Sequence, residues 1–176
     1  MPLPIEVLHQ LAGGLKYIHD MKLIHRDIKP QNVLIWKNTQ TEEVLMKWAD
    51  FGFSKPVTKS GSHSISGPNR GTDNWYAPEI LEINMQEEEN GNDETAYKRG
   101  TIKSDVFAEG LVFGYYFLKG YHLFGSRFEA NLNIKENKSV NLESKSRLLL
   151  LIEIKMQTFN RASTLILHRN WAAKRS

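Results

Sequence analysis

Ile24-His25-Arg26-Asp27-Ile28-Lys29-Pro30-Gln31-Asn32 is the stretch on which the fold turns. It sets a carboxylate, a cation and a neutral amide close together in a polar segment interrupted by proline. It runs directly into Val33-Leu34-Ile35-Trp36 and, after a polar turn, Val44-Leu45-Met46-Lys47-Trp48. These are two short β-prone runs, so the sequence predicts a loop feeding a hairpin. On the other side, Ile5, Leu8, Leu11, Ala12, Leu15 and Ile18 recur at three- and four-residue steps, which predicts a buried face on a helix starting near Pro4. Gly13 and Gly14 lie inside that helix. Each costs about 0.5–1 kcal/mol relative to alanine, so both are expected to pack closely against a neighbour.

Further along, residues 55–74 are polar and rich in Ser, Gly and Pro, which predicts a mobile loop rather than an element. The acidic run from Glu87 to Glu94 reads as part of a solvated surface insertion over 86–95. Val106 to Leu118 is apolar on nearly every side and predicts a buried helix despite Gly110 and Gly114. Leu148 to Met156 and Ser163 to His168 predict two more helices. No internal repeat is present.

With 176 residues and 40% hydrophobic content, the chain can bury one domain core. Its 23 Lys+Arg against 20 Asp+Glu make a nearly balanced surface, so no nucleic-acid partner is expected. Zero cysteines exclude a disulfide framework and thiolate zinc sites, and six scattered histidines show no zinc-ligand spacing. The apolar stretch from Gly110 to Leu118 is too short to span a bilayer, and Met1-Pro2-Leu3-Pro4 has neither the basic nor the apolar region of a secretory signal. A cytoplasmic chain with no membrane segment is the expectation.

Three motifs follow in order: His25-Arg26-Asp27 with Lys29 and Asn32, then Asp50-Phe51-Gly52, then Ala77-Pro78-Glu79. Taken alone, Asp27 reads as a turn residue and Asp50 as a strand-end cap. Together, in this order, they resemble the protein kinase signature. That resemblance implies ATP and Mg²⁺ as cofactors and a protein as substrate. Phosphoryl transfer asks a protein for positioning and charge neutralisation, and these residue types supply both. Asp27 would accept or orient the proton of the acceptor hydroxyl, and Lys29 would reach the transferring phosphate. Asn32 and Asp50 offer hard oxygen ligands for Mg²⁺. Gln31 and Leu34 would join Lys29, Asn32 and Asp50 on the nucleotide side, Leu34 as floor under adenine. His25 is assigned to structure, holding the catalytic loop against Phe51 and Gly52. Arg26 would grip a phosphate carried by the activation segment 50–79, with Ser60, Ser62, Ser64 and Ser66 as candidate carriers and Ser64 and Ser66 preferred. Thr72 stands where serine/threonine kinases keep a hydroxyl beside the catalytic Asp and Lys.

A finer likeness is carried by Gly61-Ser62-His63-Ser64-Ile65-Ser66 and by Gly71-Thr72-Asp73-Asn74-Trp75-Tyr76-Ala77-Pro78-Glu79. Ser104-Asp105-Val106-Phe107-Ala108-Glu109-Gly110 and Gly120-Tyr121-His122-Leu123-Phe124-Gly125 add to it. These segments resemble the inositol-requiring stress-sensor kinase-endoribonucleases, with ribonuclease L a weaker match. By that resemblance Asp105 would hydrogen-bond the catalytic-loop backbone, Glu79 would pair with Arg161, and a second kinase copy would be a partner in a homodimer. Departures from the pattern are Gln157-Thr158-Phe159-Asn160, Ala162 and Leu123, and the polar region between Phe128 and Ser146 suggests a trimmed lower lobe.

The expected fold is mainly α (α+β): a kinase-like C-terminal lobe over 1–170 with short β-hairpins around the catalytic loop, then a tail over 171–176. No glycine-rich phosphate loop, phosphate-aligning lysine or hinge stands before Pro4, and five residues follow Trp171. The N-terminal lobe and the endoribonuclease module are therefore expected to be missing, with no RNA cleavage and weak ATP binding by these residues alone. Two functions stay open: serine/threonine phosphotransfer, and a non-catalytic kinase-like lobe that binds or regulates a partner.

Overall fold

A computed structural model describes residues 2–58, 62–64, 71–90 and 99–141. Helix α1 spans Pro4–Asp20, strand β1 Leu23–Ile24, β2 Val33–Lys37, β3 Val44–Trp48, β4 Lys55–Pro56 and β5 Ser62–Ser64. Then follow α2 (Pro78–Asn90), β6 (Arg99–Thr101), α3 (Ile102–Phe117) and α4 (Ala130–Lys135).

Pro4 opens α1, where its missing N–H costs nothing, and Glu6 Oε2 accepts from the Leu3 amide at 2.8 Å. The buried face of α1 is Val7, Leu8, Leu11, Leu15, Ile18 and His19. Leu8, Leu11, Leu15 and Ile18 are buried as expected, whereas Ile5 and Ala12 are exposed and Val7 and His19 join the buried face instead. The 3.6-residue period of a helix rotates the apolar arc between its first and third turns, so Ile5 leaves the core and Val7 enters it. Trp48 decides where the glycines matter. Its indole lies across α1, Nε1 donating to Leu11 O at 2.9 Å, and a Cβ on Gly14 would stand 3.4 Å from its Cδ1. Gly13 meets nothing within 4 Å, so only Gly14 packs as expected.

The predicted hairpin is present: β2 and β3 pair antiparallel from Val33↔Trp48 to Lys37↔Val44. Gln10 on α1 clasps its far strand, accepting from Met46 N at 2.7 Å and donating to Val44 O at 3.1 Å. One core cluster joins α1, β3 and α3 through Leu11, Leu15, Met46, Trp48, Val112 and Phe113. A second joins α2, α3 and α4 through Leu81, Leu111, Phe124, Ala130 and Ile134. Helix α3 passes between the two, and that is why it is buried on nearly every side.

Three expectations need correction. Residues 55–74 are not all loop, since β4 pairs with β1 and β5 with β6, where backbone groups bond across short antiparallel ladders. The acidic run does not begin an irregular insertion at 86, because α2 continues to Asn90; glutamate is a good helix former. Residues 91–95 lie outside the described part. The region after Phe128 is not simply polar: α4 buries Ala130, Asn133 and Ile134. The two helices expected after Leu148, the departures over 157–162 and the tail over 171–176 lie outside the described residues.

Candidate active site

The loop after β1 is held from below. Asp105, in the first turn of α3, accepts from the His25 amide (2.8 Å, Oδ2) and the Arg26 amide (2.9 Å, Oδ1). His19 Nε2 on α1 lies 2.9 Å from Oδ2. Thr101 caps α3 by accepting from Lys103 N at 3.2 Å, which sets the height of Asp105. The clamp has a reason: Arg26 has φ of 72°, a left-handed conformation unfavourable for a branched chain, and two fixed amides keep it there. His25 is fully buried. Its Nδ1 accepts from Asp27 N at 3.4 Å, so Nε2 carries the proton and donates to Ala49 O at 2.9 Å. Its ring lies 5.0 Å from that of Phe51. The catalytic loop is thus tied to the residue just before Asp50.

Above this anchor three side chains converge on Asp27. Oδ1 accepts from the Thr72 hydroxyl at 2.8 Å, and Oδ2 accepts from Asn32 Nδ2 at 3.0 Å and pairs with Lys29 Nζ at 2.7 Å. Lys29 Nζ also donates to Thr72 Oγ1 at 2.7 Å. Burial pushes the Asp27 carboxyl up, yet the hydrogen bonds from Lys29, Thr72 and Asn32 hold it below the ordinary carboxylate range. It is an ionised acceptor at neutral pH. The Thr72 hydroxyl takes a proton contact from a cation and gives its own to a carboxylate, which is the environment a reacting hydroxyl needs.

The metal and nucleotide side is more open. Asn32 directs its amide nitrogen to Asp27 O (2.8 Å) and Oδ2, which turns its carbonyl oxygen the other way. Asp50 adopts the left-handed region (φ 62°), and its Oδ1 accepts from Gly52 N at 3.3 Å, forming the cap of the turn Phe51–Phe53. One carboxylate and one amide oxygen suit Mg²⁺, which keeps waters and substrate phosphates as its other ligands. No cluster of three or more His, Cys, Asp or Glu able to hold a metal is found among the described residues, in keeping with so sparse a set. Asn32 and Asp50 would hold the ion. Leu34 is 60% exposed on β2, and Gln31 is also exposed.

The end of the activation segment is packed tightly onto the loop. Gly71 has φ of 132°, and a Cβ there would fall 2.7 Å from Tyr76 Cε1 and 3.0 Å from Arg26 O, so no other residue fits. The Trp75 ring meets His122 edge-on at 5.1 Å and Tyr115 at 5.7 Å. Burial raises the Tyr76 hydroxyl to about 12, with the charges of Asp73 and Asp27 adding. Arg26 Nη1 donates to Phe53 O at 3.5 Å. Ser62 and Ser64 lie on β5, and Glu79 sits in the first turn of α2. Ser60, Ser66 and Arg161 lie outside the described residues.

Three buried polar residues escaped the sequence reasoning: His19, Glu109 and Asn133, the last donating to Phe124 O at 2.9 Å. His19 follows Ile18 on the apolar face of α1, and a polar side chain on such a face is a signal. Glu109 lies one turn beyond Asp105 and is 8% exposed. It stands in an apolar run where no carboxylate is expected.

A protein kinase domain model matches residues 5–166. Among curated proteins, the chain is similar to the serine/threonine-protein kinase/endoribonuclease ire-1 of Caenorhabditis elegans, 36% identical over 132 residues, covering 73% of this chain and 12% of that protein. The sensor for unfolded proteins in the ER ire1 of Schizosaccharomyces pombe is 30% identical over 140 residues, 74% of this chain and 13% of that one. The human serine/threonine-protein kinase/endoribonuclease IRE2 is 32% identical over 132 residues, covering 74% and 13%. The chain therefore spans only 12–13% of the length of these relatives. The likeness is to their kinase part.

Proposed function

The chain belongs to the protein kinase family, and from that premise we propose that it serves serine/threonine phosphotransfer, moving the terminal phosphoryl group of ATP onto a protein hydroxyl. The observation that carries this reading is the Thr72 hydroxyl, bonded at once to Lys29 and Asp27. A threonine hydroxyl held at hydrogen-bond distance from both groups supports a Ser or Thr acceptor at this place.

Bound MgATP supplies the phosphoryl group and a leaving diphosphate whose charge the metal neutralises. The chain does the rest. Asp27 orients the acceptor hydroxyl and takes its proton as the oxygen–phosphorus bond forms and the bond to ADP breaks. Lys29 offsets charge on the transferred group, and Asn32 and Asp50 would hold the metal. The names of two of the relatives above, which read "serine/threonine-protein kinase", support the acceptor class. A homodimer of kinase units is the partner this reading proposes to test first.

A second reading has its own observation. Leu34 is 60% and Trp36 49% exposed, two positions apart and so on one face of β2, and Phe51 is 47% exposed. Large apolar residues grouped on a surface mark an association site, which favours a non-catalytic lobe docking on a partner. The same exposure supports weak ATP binding by these residues alone.

Transfer of labelled phosphate from MgATP to serine and tyrosine peptides separates the two. Slow transfer to the serine peptide, lost in Asp27→Asn, is the expected result. A folded chain that transfers none while capturing a second kinase lobe favours the binding module. Micromolar ATP affinity by calorimetry would contradict the weak-binding expectation.

A further inference from the structure

Helix α3 carries two buried carboxyl groups one turn apart, Asp105 (2% exposed) and Glu109 (8% exposed). Residues four apart lie on the same helix face. Their surroundings differ sharply. Asp105 receives the His25 amide, the Arg26 amide and the His19 imidazole on its two oxygens. Glu109 Oε1 is buried with no hydrogen-bond partner. A buried carboxylate needs donors, and Asp105 has them.

We propose that Glu109 is a proton-dependent element of the catalytic-loop anchor: protonated, it sits quietly beside Asp105, and its ionisation loosens the clamp that Asp105 places on His25 and Arg26. The three donors present all serve Asp105, so an ionised Glu109 on the same buried helix face would be an uncompensated charge that acts against the first. Asp105 is the charged group whose field reaches Glu109 from α3 itself. From the neighbouring elements, His19 on α1 and the His25 amide in the loop after β1 bond Asp105. Neither is bonded to the Glu109 oxygens. Burial, with the Asp105 charge adding, raises the Glu109 carboxyl to about 8.

The sign follows from linkage. Between the ordinary carboxyl value of 4.5 and about 8 the folded chain holds a proton that the unfolded chain has lost. Stability therefore falls as pH rises through that window, by about tenfold in the unfolding equilibrium per pH unit, and levels off above it. Phosphotransfer plays no part in this inference, so it stands apart from the proposed function.

The test is urea unfolding of the full 176-residue chain and of Glu109→Gln and Glu109→Leu between pH 6 and 9.5, with amide exchange followed at His25 and Arg26. Expected is a wild-type equilibrium that weakens about tenfold per unit up to pH ~8, a flat profile in either variant, and His25 and Arg26 protection that drops with pH in the wild type only. Parallel profiles for wild type and variants would overturn the proposal. So would variants that flatten the stability profile yet leave the pH dependence of His25 and Arg26 exchange unchanged, because Glu109 would then titrate without touching the anchor. Glu109→Leu keeps the test decisive should the buried amide of Glu109→Gln itself impair folding.

Discussion

The two sides of the candidate site are built differently. On the acceptor side, Asp27, Lys29, Asn32 and Thr72 bond to one another within 2.7–3.0 Å above an anchor in which Asp105 takes both backbone amides of His25 and Arg26. On the side proposed to meet nucleotide, Asp50 accepts from Gly52 N at 3.3 Å, and Leu34 and Phe51 are 60% and 47% exposed. The difference teaches where preorganisation resides. The Asp27 cluster is fixed by packing among the described residues, whereas Asp50 and Leu34, proposed to meet metal and nucleotide, are exposed.

The largest effect expected from this contrast is catalytic. Asp27→Asn keeps the shape but removes the proton acceptor, and should lower phosphotransfer by about 10²–10⁴-fold in a peptide assay. Retained transfer would break the acceptor-side assignment. Next, Asp105→Ala strips the acceptor from two buried amides beside a left-handed Arg26, and should cost about 3 kcal/mol or more in urea unfolding. The matched nucleotide-side change, Asp50→Ala, should alter stability by no more than about 0.5 kcal/mol, because its carboxylate is exposed. Equal costs at the two positions would erase the comparison.

The smallest effect lies at the base of the activation segment. Burial lowers the His122 imidazole, against the raising effect of a hydrogen bond with the Asn74 backbone, so the folded chain disfavours its protonation. The His122 contribution to stability should therefore fall as pH drops below the ordinary value of 6.5, opposing the Glu109 contribution there, and His122→Gln should remove that opposing limb in a thermal-unfolding series. Asp27, with its carboxyl held low, contributes stability above the ordinary 3.8 that is lost only at more acid pH, so the two windows do not overlap.

Legibility in the sequence was uneven for physical reasons. Helix α1, the β2–β3 hairpin and α3 were legible because their apolar periods are local. The offset of the buried face to Val7 and His19 was not, since the facing partner decides which part of the arc is covered. Strands β4 and β5 were missed because each is two or three residues long and exists only through a distant partner. Gly71 and Thr72 stand in a quoted motif, but the close approach of Gly71 to Arg26 O became visible only once the chain was folded back on itself.

By itself, the sequence determined the residue types of the phosphotransfer set, their order along the chain and hence the kinase family, because spacing in a short loop and a hairpin is local information. Thr72 beside Asp27 and Asp105 on the loop backbone were expected only through resemblance, because contacts across 45 and 80 positions are made by the tertiary fold and not by local spacing. Tertiary structure alone left Glu109 buried and unpartnered one turn from Asp105. Periodicity says which face of a helix is buried; only packing says against what, and a buried charge takes its meaning from the groups that it finds there.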